Sequence, residues 1–245
     1  MKSLIGRKSV LLAGILSAGL VFSFTVPANA GFVVKIEVAG GSGAKIVVDQ
    51  DFVPAVGDVA DGNAAANAIN FALNAFDGWS VIFPNATTSD PALGFLGHGA
   101  FLTLGALTTA SAGPGVLTIW TTATDFVDLG ALTKILFDVT KSGFGSMTAE
   151  LFVDDANEEF AETTSVSFLS PFPGVTALSG SGIVAVTDPF SMTIKYVITH
   201  LGGGQSSRQG TARIAPIPGA LFLFLSALGG LGLTGRFGRR ANAAA

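Results

Sequence analysis

The oxygen ligands of this chain gather in two stretches. VDQDFVPAVGDVADG (48–62) holds Asp49, Asp51, Asp58 and Asp61, and VDDANEEFAE (153–162) holds Asp154, Asp155, Asn157, Glu158, Glu159 and Glu162. Calcium takes roughly six to eight oxygens from flexible loops rich in carboxylates and carbonyls. A structural calcium ion is therefore the chemistry these stretches offer, with Asp49, Asp51, Asp154, Asp155, Asn157 and Glu158 as candidate ligands. Neither stretch fits the EF-hand loop; the second lacks its central glycine and its alternating acidic order. The alternative is a pair of solvated acidic loops. No other cofactor is expected.

The remaining reactive side chains are sparse. Trp79 and Trp120 each sit inside a strand-like run, where a tryptophan serves either as a sugar-stacking platform or as core. There is no cysteine, which excludes thiolate zinc sites and thiol nucleophiles. The two histidines are His98, in LGHGA, and His200, in THLGGGQSS at a strand end. GGSGAK (40–45) lacks the length and the Lys-Ser/Thr ending of a phosphate loop, and neither a G-x-S-x-G elbow nor an H-E-x-x-H helix occurs. An enzyme would need His98 or His200 within hydrogen-bond reach of a carboxylate in a cleft. The expectation is a protein that is not an enzyme.

The elements that position these residues read as strands. FVVKIEV (32–38), AKIVV (44–48), GWSVIF (78–83), FLTLGAL (101–107) and GVLTIWTT (115–122) are β-branched or aromatic runs between turn residues. TKILFDV (133–139), MTAELFV (147–153), TTSVSFL (163–169), GIVAVT (182–187) and SMTIKYVIT (191–199) continue the series. Ile135, Phe137 and Val139 alternate with Lys134 and Asp138; Val166 and Phe168 alternate with serines; Ile194, Tyr196 and Ile198 flank Lys195. Period two with one polar face predicts half-buried antiparallel strands, and many short strands predict an all-β, jelly-roll-like sandwich. The Ala-rich stretch 63–75 favours a helix by composition, but AINFAL followed by DGWSVIF reads better as a hairpin turning at Asp77-Gly78. No repeat of fixed period is present, which argues against a solenoid or an ice-binding threonine array.

The two ends differ from this ectodomain. Residues 1–30 carry Lys2, Arg7 and Lys8, an apolar run, and the small-residue site Ala28-Asn29-Ala30, the grammar of a signal peptide cleaved before Gly31. At the other end, residues 213–218 form a proline-containing linker and 219–235 an apolar segment. That segment makes about 26 Å of helix, which barely spans a bilayer core of about 30 Å. The basic tail 236–245, with Arg236, Arg239 and Arg240, is expected to stay cytoplasmic. All 17 acidic residues but only 7 of the 13 basic ones, Arg213 at the linker included, lie between residues 31 and 213, a balance of −10. Such a domain, residues 31–212, is a poor partner for nucleic acid, itself a polyanion.

Pro216-Ile217-Pro218-Gly219-Ala220, the short apolar helix and the terminal arginines resemble the PEP-CTERM sorting signal in its VPLPA-like variant, with Gly219 interposed before the alanine. The stretches AINFALNAFDGWSVIFPNATTSDPALGF (68–95) and SAGPGVLTIWTTATDF (111–126) resemble one group of exported proteins bearing that signal, a group that implies no activity and no site residues. The resemblance implies recognition by a membrane-embedded exosortase, a single-pass inner-membrane tether with the ectodomain outside, and delivery to the cell surface or extracellular matrix alongside exopolysaccharide. The resulting expectation is a non-enzymatic surface or biofilm-matrix protein. Its alternative is a carbohydrate-binding β-sandwich, with calcium bracing a loop.

Overall fold

The computed structural model describes residues 31–50, 54–88, 101–127, 133–170 and 176–215. The expected signal peptide (with Ala28 and Ala30), sorting motif, membrane helix and basic tail lie outside these residues, as do Asp51 and His98. In chain order the first six strands are β1 (Phe32–Val38), β2 (Ala44–Val48), β3 (Ala68–Phe76), β4 (Trp79–Thr88), β5 (Phe101–Ser111) and β6 (Gly115–Phe126). The next six are β7 (Thr133–Gly143), β8 (Ser146–Asp154), β9 (Thr164–Leu169), β10 (Thr176–Val184), β11 (Phe190–His200) and β12 (Gly204–Ala215). All pairings are antiparallel, and the described residues contain no helix.

Two six-stranded sheets result, one ordered β2-β1-β6-β11-β8-β9 and the other β10-β7-β12-β5-β4-β3. From β5 onward each strand crosses to the opposite sheet except β9, which stays beside β8. The block β5-β12-β7-β10 thus packs on β6-β11-β8-β9, the strand order of a jelly roll, and the hairpins β1–β2 and β3–β4 widen it on one side. The expected two-sheet antiparallel sandwich is therefore what forms.

Period-two alternation explains the core. Ile36, Ile119, Ile194, Tyr196 and Phe137 are fully buried, while their strand neighbours Lys35, Trp120 and Lys195 turn outward. Each such buried side chain contributes about 1.5–3 kcal/mol. The β3–β4 hairpin closes through Asp77-Gly78, with φ of 48° and 82°, and Phe76 faces Trp79 across it. Both loop residues sit in the left-handed region, as a two-residue type I′ turn requires. The helix that alanine content favoured at 63–75 gives way to this hairpin.

Three boundaries differ from the sequence expectation. In β9 a register shift opposite Leu151/Phe152 turns Leu169 inward and leaves Phe168 57% exposed, so Phe168 does not join the core. Strand β10 occupies 176–184, earlier than the apolar run 182–187. The polar stretch 204–215 is a central strand, β12, hydrogen-bonded to β5 and β7 and running to Ala215, past residue 212.

The described chain begins and ends at one end of the sandwich. Gly31 N–H donates to Thr124 Oγ1 (2.9 Å) near the finish of β6, and Ala215 pairs with Lys134 at the start of β7. Seven Cα steps separate Phe126 from Thr133, a reach of at most about 25 Å, too short to cross the length of these strands.

Candidate functional site

One row of side chains crosses the outer face of the first sheet. Lys35, Trp120, Lys195, Glu150 and Phe168 are successive register partners on β1, β6, β11, β8 and β9. Their chain neighbours Ile36, Ile119, Tyr196, Ala149 and Leu169 point into the core, which fixes this row toward solvent. The Lys35 ammonium lies 4.4 Å from the Trp120 ring centroid and that of Lys195 lies 5.6 Å from it, both within cation–π range.

Glu162 completes the arrangement from the loop that follows β8. Its carboxylate accepts the Trp120 indole N–H at 2.7 Å and the Lys195 ammonium at 2.7 Å. Partial burial pushes the Glu162 carboxyl up, but hydrogen bonds from Lys195 and Trp120 and the charges of Lys195 and Lys35 outweigh it, holding the group below its usual range. Next along the row, Ser165 donates to Glu150 at 2.6 Å. The result is a half-buried indole of fixed orientation, rimmed by two cations and a carboxylate.

The acidic loops are knit together by hydrogen bonds. Asp154 accepts the Glu158 amide and the Thr163 hydroxyl, each at 2.9 Å, and Asp155 accepts the Thr187 amide at 3.3 Å. Asn157 is bound to Asp125 in both directions, at 2.7 and 2.8 Å. These groups fold the loop back onto the sheet, where the Phe160 amide donates to Thr122 Oγ1, and so deliver Glu162 to Trp120. In the first stretch Asp49 accepts the Asn67 amide (2.7 Å), and Asp61 accepts the amides of Gln50, Asn63 and Asn70. Burial pushes the Asp49 carboxyl up against the Asn67 bond, and the Asp61 charge adds to the rise. Among the described residues no three acidic or histidine side chains converge to hold an ion. Of the expected calcium ligands, Asp154, Asp155 and Asn157 are hydrogen-bonded within the loop, Glu158 joins through its backbone, and Asp49 keeps Oδ1 buried without a partner beside its bond to Asn67.

The sugar-stacking expectation at Trp79 is corrected. It is 2% exposed and lies against His200 with ring centroids 4.7 Å apart, so neither face is open to a sugar. His200, itself 1% exposed, bonds Ser111 Oγ through Nδ1 (2.7 Å) and Ser206 Oγ through Nε2 (3.2 Å). A serine–histidine pair is thus present but sealed in the core, and its hydrogen-bond partners are hydroxyls rather than a carboxylate. Burial pushes the His200 pKa down, and the charges of Arg208 and Lys141 push it further.

Of the two tryptophans, Trp120 reaches the outer face of a sheet, half-buried with the Lys35 ammonium over its ring. Lys35, Lys195 and Glu162 were not foreseen beside it, because they come together through cross-strand register and a loop fold, and no local motif marks them.

No protein-family model matches the chain, and no curated protein matches it. Among solved structures it is similar to TmCBM61 in complex with β-1,4-galactotriose, at 8% identity and TM-score 0.34, covering 67% of this chain and 91% of that one. It is similar to the CBM22-1 xylan-binding domain of Xyn10C from Paenibacillus barcinonensis, at 10% identity and TM-score 0.30, covering 63% and 89%. The K1 cleaved adhesin domain of Lys-gingipain from Porphyromonas gingivalis W83 follows at 11% identity and TM-score 0.30, covering 60% and 97%. Likeness this slight carries no argument about what the chain binds.

Proposed function

We propose that this chain is an exported, non-catalytic β-sandwich of the cell surface or extracellular matrix that binds polysaccharide through its Trp120 face. The observation that carries the reading is the Lys35–Trp120–Lys195 row with Glu162 bonded to the indole. A fixed aromatic ring stacks on the apolar face of a sugar, and polar groups at its rim bond the hydroxyls. The sealed Ser111–His200 pair supports a binding role over a catalytic one. Delivery belongs to the terminal segments: the signal peptide for export, then the membrane helix and the PEP-CTERM-like motif for an exosortase. The −10 balance of the intervening chain supports a partner that is not nucleic acid.

The test is migration of the full-length protein through native gels cast with neutral or acidic polysaccharides. The wild type is expected to be retarded in at least one gel and Trp120→Ala to run unretarded there. A wild type that ignores every polymer, or a Trp120→Ala variant retarded equally, overturns the reading.

A further inference from the structure

The row through Trp120 does not end at Lys195. It runs on through Glu150 of β8 to Phe168 of β9, the outermost strand of that sheet. Phe168 stands exposed there because the register shift opposite Leu151/Phe152 turns Leu169 inward in its stead. Bulges re-aim side chains in this way. Trp120 and Phe168 are three strand spacings apart, roughly 14 Å, with Lys195 and Glu150 between them.

One flank of this row is walled. The neighbouring register row on the same outer face, Val33, Thr122, Thr193 and Phe152, is 5% exposed or less. The loop that follows β8 lies against it: the Phe160 amide donates to Thr122 Oγ1 at 3.2 Å, and the Ser191 hydroxyl donates to the Glu158 carbonyl at 2.8 Å. On the other flank Glu37, Thr118, Val197 and Thr148 are part-exposed. The result is a ledge across the strands, carrying two aromatic rings with hydrogen-bonding groups between them.

Charge selects what lies on it. Lys195 is bound to Glu162 at 2.7 Å, and Lys35 faces Glu37 at 3.7 Å. With Glu150, three carboxylates stand among two ammonium groups. A polyanion would compete with these carboxylates for both lysines and meet like charge, which weakens binding. Sugar hydroxyls meet no such repulsion; they accept from the ammonium groups and donate to the carboxylates.

We infer that the ledge takes a neutral polysaccharide laid across the strands, stacked on Trp120 at one point and on Phe168 at another. The inference rests on the Trp120 face being a polysaccharide site, and adds to it a second contact, a direction and a charge class. Phe168 contributes only to chains long enough to reach it from Trp120.

The experiment runs the full-length protein through native gels cast with mixed-linkage β-glucan, galactomannan, alginate or polygalacturonate. At least one neutral polymer is expected to retard it, and neither acidic one. Calorimetry with the hexasaccharide of the retarding polymer then reads the second contact. Phe168→Ala, a change at an exposed position, is expected to bind it about tenfold more weakly than the wild type. Phe168→Tyr, which keeps the ring, is expected to match the wild type. Retardation as strong by either acidic polymer, or a hexasaccharide held equally by Phe168→Ala, would overturn this inference and leave the polysaccharide reading standing. Retardation by none of the four polymers would overturn both.

Discussion

The Trp120 cluster and the His200 cluster show how neighbours decide what a side chain can do. Trp79 and Trp120 have the same chemistry and both sit in strands, yet one strand turns its indole inward onto His200 and the other turns it outward under Lys35. His200 is held neutral by burial and by the nearby charges of Arg208 and Lys141, with a folded pKa below its unfolded value. The unfolded chain then takes up a proton at a pH where the folded chain does not. Stability from this group is complete above the unfolded value of 6.5 and falls as pH drops below it. Urea midpoints measured at pH 7.5 and 5.5 are expected to show this loss in the wild type. His200→Gln is expected to be less stable at both values but with a flatter dependence on pH. Glu162 does not blur the comparison, because its depressed pKa places its own loss below the ordinary value of 4.5.

Among the elements, β12 is the one the sequence conceals. GQSSRQGTARIA lacks an alternating apolar face, because Ser206, Arg208 and Gly210 are the inward residues of a strand that is central to its sheet. Their partners are polar as well: Thr109, His200 and the Tyr196 hydroxyl. Periodicity detects apolar faces, so it finds β1 and β2 to the residue and passes over a strand whose inner face is hydrogen-bonded. Strand β10 is displaced for a related reason. Its glycines read as a turn, although Gly180 and Gly182 lie directly against Ser167 and Val166 of β9. The Trp120 site was legible only as one aromatic in a strand, since Lys35 and Lys195 reach it through register. Gly210 gives the element-scale test. A Cβ there would stand 1.9 Å from the Tyr196 hydroxyl oxygen. Gly210→Ala is expected to cost about 1–3 kcal/mol by overpacking, read from denaturant midpoints. Tyr196→Phe removes the clashing oxygen and is expected to recover most of that loss. Additive effects in the double variant would contradict this packing account.

For the whole molecule, the proposed export and tethering make a covalent prediction. Mass spectrometry of both termini, on protein from its native host, is expected to find a chain beginning at Gly31 and ending near Pro218 in the medium or matrix fraction. A chain retaining Arg240 in the inner membrane would make the tail a permanent anchor and remove the sorting proposal. The shared exit of both ends also has a mechanical side. Tension applied at Ala215 draws β12 along its own axis, between β5 on one flank and β7 on the other. Both hydrogen-bond ladders then resist in shear and must yield together rather than unzip bond by bond. If the proposed tether and polymer site hold, a sandwich anchored by that strand at one end and bound to polymer elsewhere on its surface is built to carry a pull.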